Sequence, residues 1–178
     1  MYRVYPPSIA VTIKNVESAI NSIIISGNFT KAINNPPTFS HGCIGVEHVD
    51  FEKFKTLMNK IQDFAVIKEE LIKLLEFCVF PFMKKYNSIE NVADYLVNIS
   101  FEMRSNYIGG TEQYLKIPLI IKMAKHEQFH QILNEYYEYV KLQSQIYPVE
   151  HVKLSFIDVV KVFEILFRDD LKQIQVDI

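Results

Sequence analysis

The spacing of the apolar residues changes near Asp50, and this change constrains the possible folds more than any other feature of the chain. After it, Phe51, Phe54, Leu57, Met58 and Ile61 recur at helical spacing and form one apolar stripe. Before it, Ile9, Val11 and Ile13 alternate with Ala10, Thr12 and Lys14, the period of a half-buried strand. One element cannot carry both patterns, because a strand reverses its side chains at every residue while a helix returns after 3.6. The two patterns predict an α+β fold dominated by helices. Residues 1–50 would form a small strand-containing layer, packed on a helical array in 51–178 that includes a C-terminal helical hairpin. At 178 residues, 49% of them apolar and 13% aromatic, the chain has the size of a single domain with a packed core.

Local punctuation marks out the elements. Asn15 reads as the cap of a helix running to Ile25, with Gly27 just past its end. Thr38 to Val49 reads as a second strand, with Gly42 and Gly45 suggesting a bulge. A helix from Lys68 to Val79 should stop near Pro81, and Ser88 should open the next, with Ile89, Val92, Tyr95 and Leu96 on one face. Gly109-Gly110 is a break, after which Thr111 caps the following segment. Ser155 and Asp158 form a capping box for a final helix to about Leu171.

Charge and cysteine usage restrict the partners. Net charge is −2, the signs are interleaved, and no basic run of five or more occurs, so neither nucleic acid nor a membrane surface is an expected partner. The longest apolar runs, such as Phe77 to Phe82, fall far short of the ~20 residues of a membrane span. Pro6 and Pro7 interrupt the first residues, so no signal peptide is expected. Cys43 and Cys78 lack CxxC spacing, which suits a reducing cytoplasm, and Cys78 in FCVFPF reads as core. No cofactor is expected.

Three constellations could carry function. The first, "AKHEQFHQIL", contains His126, Glu127 and His130 as H-E-x-x-H, the zinc-peptidase string. Two imidazoles reach one metal only if they share a face of an unbroken helix, with the Glu beside the first as base. The apolar pattern opposes this. Tyr114, Ile117, Ile120, Ile121 and Ala124 define one face, whereas Phe129, Leu133, Tyr136 and Val140 define another, rotated by roughly a third of a turn. Two helices joined by a turn near Ala124 to Gln128 reconcile the faces and place His126 and Glu127 in the turn. A zinc hydrolase is thus the alternative reading.

The second constellation is His41, Cys43, Glu47 and His48, where a thiol nucleophile is conceivable. A reactive cysteine needs a helix N-terminus or cationic neighbours to lower its pKa, and no helix start is evident there, so a small apolar filler is the better reading. The third is "NEYYEYVK", in which Tyr136 belongs to the core stripe while Glu135, Glu138 and Tyr139 lie off it. Carboxylates beside a tyrosine can meet a basic partner, so these three are the candidate partner-binding residues.

"FPFMKKYNSIENVADYL" (80–96) followed by "YLKIPLIIKMAKHEQFHQILNEY" (114–136) resembles the helical halves of small bacterial proteins of the immunity type, encoded beside interbacterial toxins. The resemblance covers under half of the chain and its motifs are structural. It implies a non-catalytic cytoplasmic protein that binds and neutralises one cognate toxin from a neighbouring gene. A secretion chaperone or adaptor is the third reading.

Overall fold

The computed structural model describes residues 8–27, 39–42, 64–108, 111–147 and 155–176. Contacts divide the chain into two compact units, one of residues 1–10 with 40–87 and one of 11–39 with 88–178. The divisions fall at 10/11, 39/40 and 87/88.

The α+β expectation is overturned: the described residues are overwhelmingly helical and contain no strand layer. The extended pieces among them are β1 (Ser8–Val11) and β2 (Phe39–Gly42), four residues each, which pair only with one another. A ribbon of this length cannot present a buried face on which helices could layer. The alternation that suggested a longer first strand ends where α1 (Lys14–Ser26) begins. Of the second expected strand, 43–49 lies outside the described residues, as do the stripe from Phe51 to Ile61 and the Gly109-Gly110 break.

In the first unit, α2 (Phe64–Leu74) continues through a π-turn (Leu75–Val79) into α3 (Phe80–Lys85). The helix therefore passes Pro81 rather than stopping before it. Proline has no N–H to donate and its ring crowds the carbonyl four residues back, so the preceding turn widens. The Phe80 N–H accordingly donates to the Leu75 carbonyl five residues back. Cys78 is buried on this turn and is disulfide-bonded.

In the second unit, α6 (Gln113–Met123) is the centre. Leu115 to Ile121 are all buried, and the helix packs against α1, α4 (Ile89–Val97), α7 (Phe129–Ile146) and α8 (Phe156–Leu166). A helix apolar on every side must be enclosed, and each fully buried Leu or Ile contributes about 1.5–3 kcal/mol. Its one charged member inside that run, Lys116, is 2% exposed and pairs at 3.0 Å with Glu17 of α1, itself 7% exposed. Two buried charges are tolerable because each neutralises the other. Glu17 lies in the first turn of α1, whose N-cap is Ile13 with no side-chain cap; Asn15 is inside the helix rather than at its start. The short α5 (Phe101–Arg104) follows α4, and α9 (Arg168–Val176) packs on α7 and α8.

Serine caps appear where expected. Ser88 Oγ accepts from the Asn91 N–H at the start of α4, and Ser155 Oγ accepts from the Asp158 N–H while donating to the Asp158 carboxylate. The helix after Ser155 is not continuous to Leu171, because Phe167, fully buried, separates α8 from α9.

Candidate functional site

The H-E-x-x-H string straddles the connection between α6 and α7. Three backbone bonds close α6: Ala124 N–H to Ile120 O (2.9 Å), Lys125 N–H to Lys122 O (3.0 Å) and His126 N–H to Ile121 O (3.2 Å). The last two form the Schellman pattern, which needs a left-handed residue just past the helix end. Lys125 fills that position with φ 54°. His126 then opens the turn that leads into α7: its carbonyl accepts from Phe129 N–H (3.0 Å) and its Nδ1 accepts from Gln128 N–H (3.1 Å). An Nδ1 that accepts leaves the proton on Nε2, which faces the Asp94 carboxylate at 3.4 Å. The ring of His130 lies against that of its neighbour Phe129. The unbroken helix that would aim both imidazoles at one metal is interrupted between them. Among the described residues, no group of three or more His, Cys, Asp or Glu side chains is placed to hold a metal ion. What the string does here is end one helix and begin the next.

The tyrosine-carboxylate constellation separates into different roles. Arg104, 4% exposed, donates from Nε to the Leu96 carbonyl (2.9 Å) and from a terminal nitrogen to Glu135 Oε2 (2.8 Å). Its guanidinium also lies 5.7 Å from the centre of the Tyr136 ring. Burial alone would lower the Arg104 pKa, but its bonds to Glu135 and Tyr136 outweigh that and raise it. Burial pushes the Tyr136 hydroxyl up to about 12 against the opposing pull of Arg104. Glu135 is thus the counter-ion of a buried arginine, not a free surface acid. Tyr139 packs inward, its ring stacked on Tyr114 (5.2 Å between centroids) and tilted against Phe101 (4.9 Å). Of the three expected residues, Glu138 alone remains mainly exposed, with a 3.5 Å pair to Lys141 one turn on. The same face continues as Leu142, Ile146 and the adjoining Tyr147, each more than half exposed.

The thiol constellation of Cys43, Glu47 and His48 lies outside the described residues, and His41 is described only as part of the backbone of β2.

A feature absent from the sequence reading is a cleft of about 530 Å³ lined by Tyr137 of α7, Lys161, Glu164 and Ile165 of α8, and Arg168, Leu171 and Lys172 of α9. Tyr137 forms a fixed wall. Its ring stacks on Phe163, Lys141 lies over it at 5.0 Å, and its hydroxyl donates to Glu164 Oε1 at 2.9 Å. Desolvation and that bond to Glu164 push the Tyr137 hydroxyl up to about 12, so it remains a donor throughout the physiological range. The signal was present as a helical stripe, Lys161, Glu164-Ile165, Arg168 and Leu171-Lys172. It was masked by the acidic neighbours Asp169 and Asp170.

No family model, curated protein or solved structure matches this chain. Among the described residues no helix is long and apolar enough to cross a membrane.

Proposed function

We propose that this is a non-catalytic protein-binding protein of the immunity type, which binds and neutralises one toxin encoded by a neighbouring gene. The observation that supports this reading is the outward face of α7, where Glu138, Leu142 and Ile146 follow one another at four-residue spacing and Tyr147 adjoins them. Exposed apolar side chains next to a carboxylate have the composition of a small recognition patch. The opposite face of α7 is anchored by Phe129, Ile132, Leu133, Tyr136 and Val140, so the patch sits on a rigid support and loses little entropy on binding. This revises the expected surface: Glu138 stays in it, while Glu135, though partly exposed, is held by Arg104 and Tyr139 packs on Tyr114 and Phe101.

Two cysteines without CxxC spacing suit a reducing cytoplasm only while they are free thiols. Cys78 is disulfide-bonded, and disulfides persist in oxidising compartments, so the cysteines no longer support that placement.

The test is binding to the product of the adjacent gene. Leu142→Asp with Ile146→Asp should weaken the complex at least tenfold, about 1.4 kcal/mol, without lowering the melting temperature. Absence of any complex with that product would remove the toxin reading, and unchanged affinity in the double variant would remove this face.

A further inference from the structure

We infer that the cleft between α7 and the α8–α9 corner is a binding site for an organic oxyanion, a small molecule with a phosphate or carboxylate group on an apolar body. This inference does not rest on the toxin reading, because it concerns different residues and a different class of ligand.

The lining carries three cationic side chains, Lys161, Arg168 and Lys172, against one carboxylate, Glu164. That carboxylate already accepts the Tyr137 hydroxyl. Lys161 lies 3.9 Å from Asp158 and Lys172 lies 3.5 Å from Asp169, each an i,i+3 pair near the surface. Exposed pairs of this kind are worth little, so an incoming anion can compete for both ammonium groups. Arg168 has no acidic partner among the described residues. Its guanidinium offers a planar fork of donors that fits two oxygens of one phosphate or carboxylate.

The rest of the lining sets the shape of the ligand. Ile165 and Leu171 supply apolar surface, and the Tyr137 ring cannot swing away because Phe163 and Glu164 hold it. A cleft of about 530 Å³ lies within the ordinary range of small-molecule sites, roughly 300–1,000 Å³. Bare inorganic phosphate would use the cations and leave the apolar wall idle. An aromatic or aliphatic body would cover it.

The probes are phenyl phosphate, benzoate and their neutral relative benzyl alcohol, titrated into ¹⁵N-labelled protein while the backbone amide resonances are followed. Phenyl phosphate or benzoate should shift the resonances of residues 161–172 saturably, benzyl alcohol should not, and inorganic phosphate should bind more weakly than phenyl phosphate. The stronger of the two anions identifies the oxyanion. Arg168→Gln should weaken binding at least about tenfold, the loss of a bidentate charged contact. If that variant does not fold, Lys161→Gln with Lys172→Gln reads the same property through exposed side chains. The inference is overturned if no probe saturates, if benzyl alcohol matches the anions, or if the folded charge variants bind as wild type does.

Discussion

Glu135 and Glu138 stand three residues apart on one helix and are indistinguishable by composition, yet a single neighbour gives them opposite roles. Glu135 reaches Arg104 at 2.8 Å, and Arg104 is 4% exposed; among the described residues Glu138 pairs with Lys141, which is itself near water. Removing one partner of a buried charge leaves the other desolvated, whereas an exposed pair is already screened. Glu135→Lys should therefore lower stability by about 2 kcal/mol or more, even though its own side chain is 42% exposed. Glu138→Lys should change it by less than about 0.5 kcal/mol. Urea denaturation of the two variants decides the matter: equal costs would mean that Arg104 does not depend on Glu135. Lys116 and Glu17 carry the same lesson deeper, because both would pass for surface charges until the packing of α1 on α6 buries them together.

Among the elements, the connection from α6 to α7 is the most informative. Two apolar faces out of phase require a break somewhere between Ala124 and Gln128, and the helices do end and restart across those residues. The form of the break is less expected, because a Schellman ending usually places glycine at the left-handed position and this chain places Lys125 there at φ 54°. A side chain with a Cβ is disfavoured in that region by roughly 1–2 kcal/mol, partly offset by the greater unfolded-state freedom of glycine. Lys125→Gly should therefore raise stability by about 0.5–1 kcal/mol, and Lys125→Val should lower it by about 1 kcal/mol, because β-branching worsens the clash. Paired thermal melts test this, and a less stable glycine variant would show that the lysine side chain stabilises the turn. The π-turn before Pro81 shows the converse case, in which a residue expected to stop a helix only widens one turn of it.

At the scale of the molecule, stability in the second unit should be centred on α6. Ile117, Leu119, Ile120 and Ile121 are buried on a helix packed by α1, α4, α7 and α8, so their amides can exchange only when the unit opens as a whole. Lys172 and Gln173 on α9 are exposed and should exchange through local fraying. Hydrogen exchange should therefore place the four α6 amides in the slowest class and the two α9 amides in a fast one. Equal protection in both would contradict a centre at α6. The division of the chain into two units, each drawing on separated segments, is likewise a property of the packed state.

The features legible in the sequence were those encoded over short range. Ser88 and Ser155 act through hydroxyls that reach backbone donors three residues away, so a motif of four residues was enough to locate both helix starts. The phase difference between the faces of Tyr114–Ala124 and Phe129–Val140 was also enough to break the helix through the H-E-x-x-H string, since helical geometry fixes the angle per residue. The strand layer was misread because alternation over a few residues records only a local preference, and a sheet also needs partner strands distant in the chain. The surroundings of the candidate site residues are not legible in the sequence for a related reason. Whether Glu135 is free, Tyr139 outward or Arg168 unpaired depends on which helix lies opposite, and only the tertiary structure brings Arg104, Tyr114 and Tyr137 into those positions. A carboxylate has no fixed role until its counter-charge and its access to water are set, and both are set by residues tens of positions away.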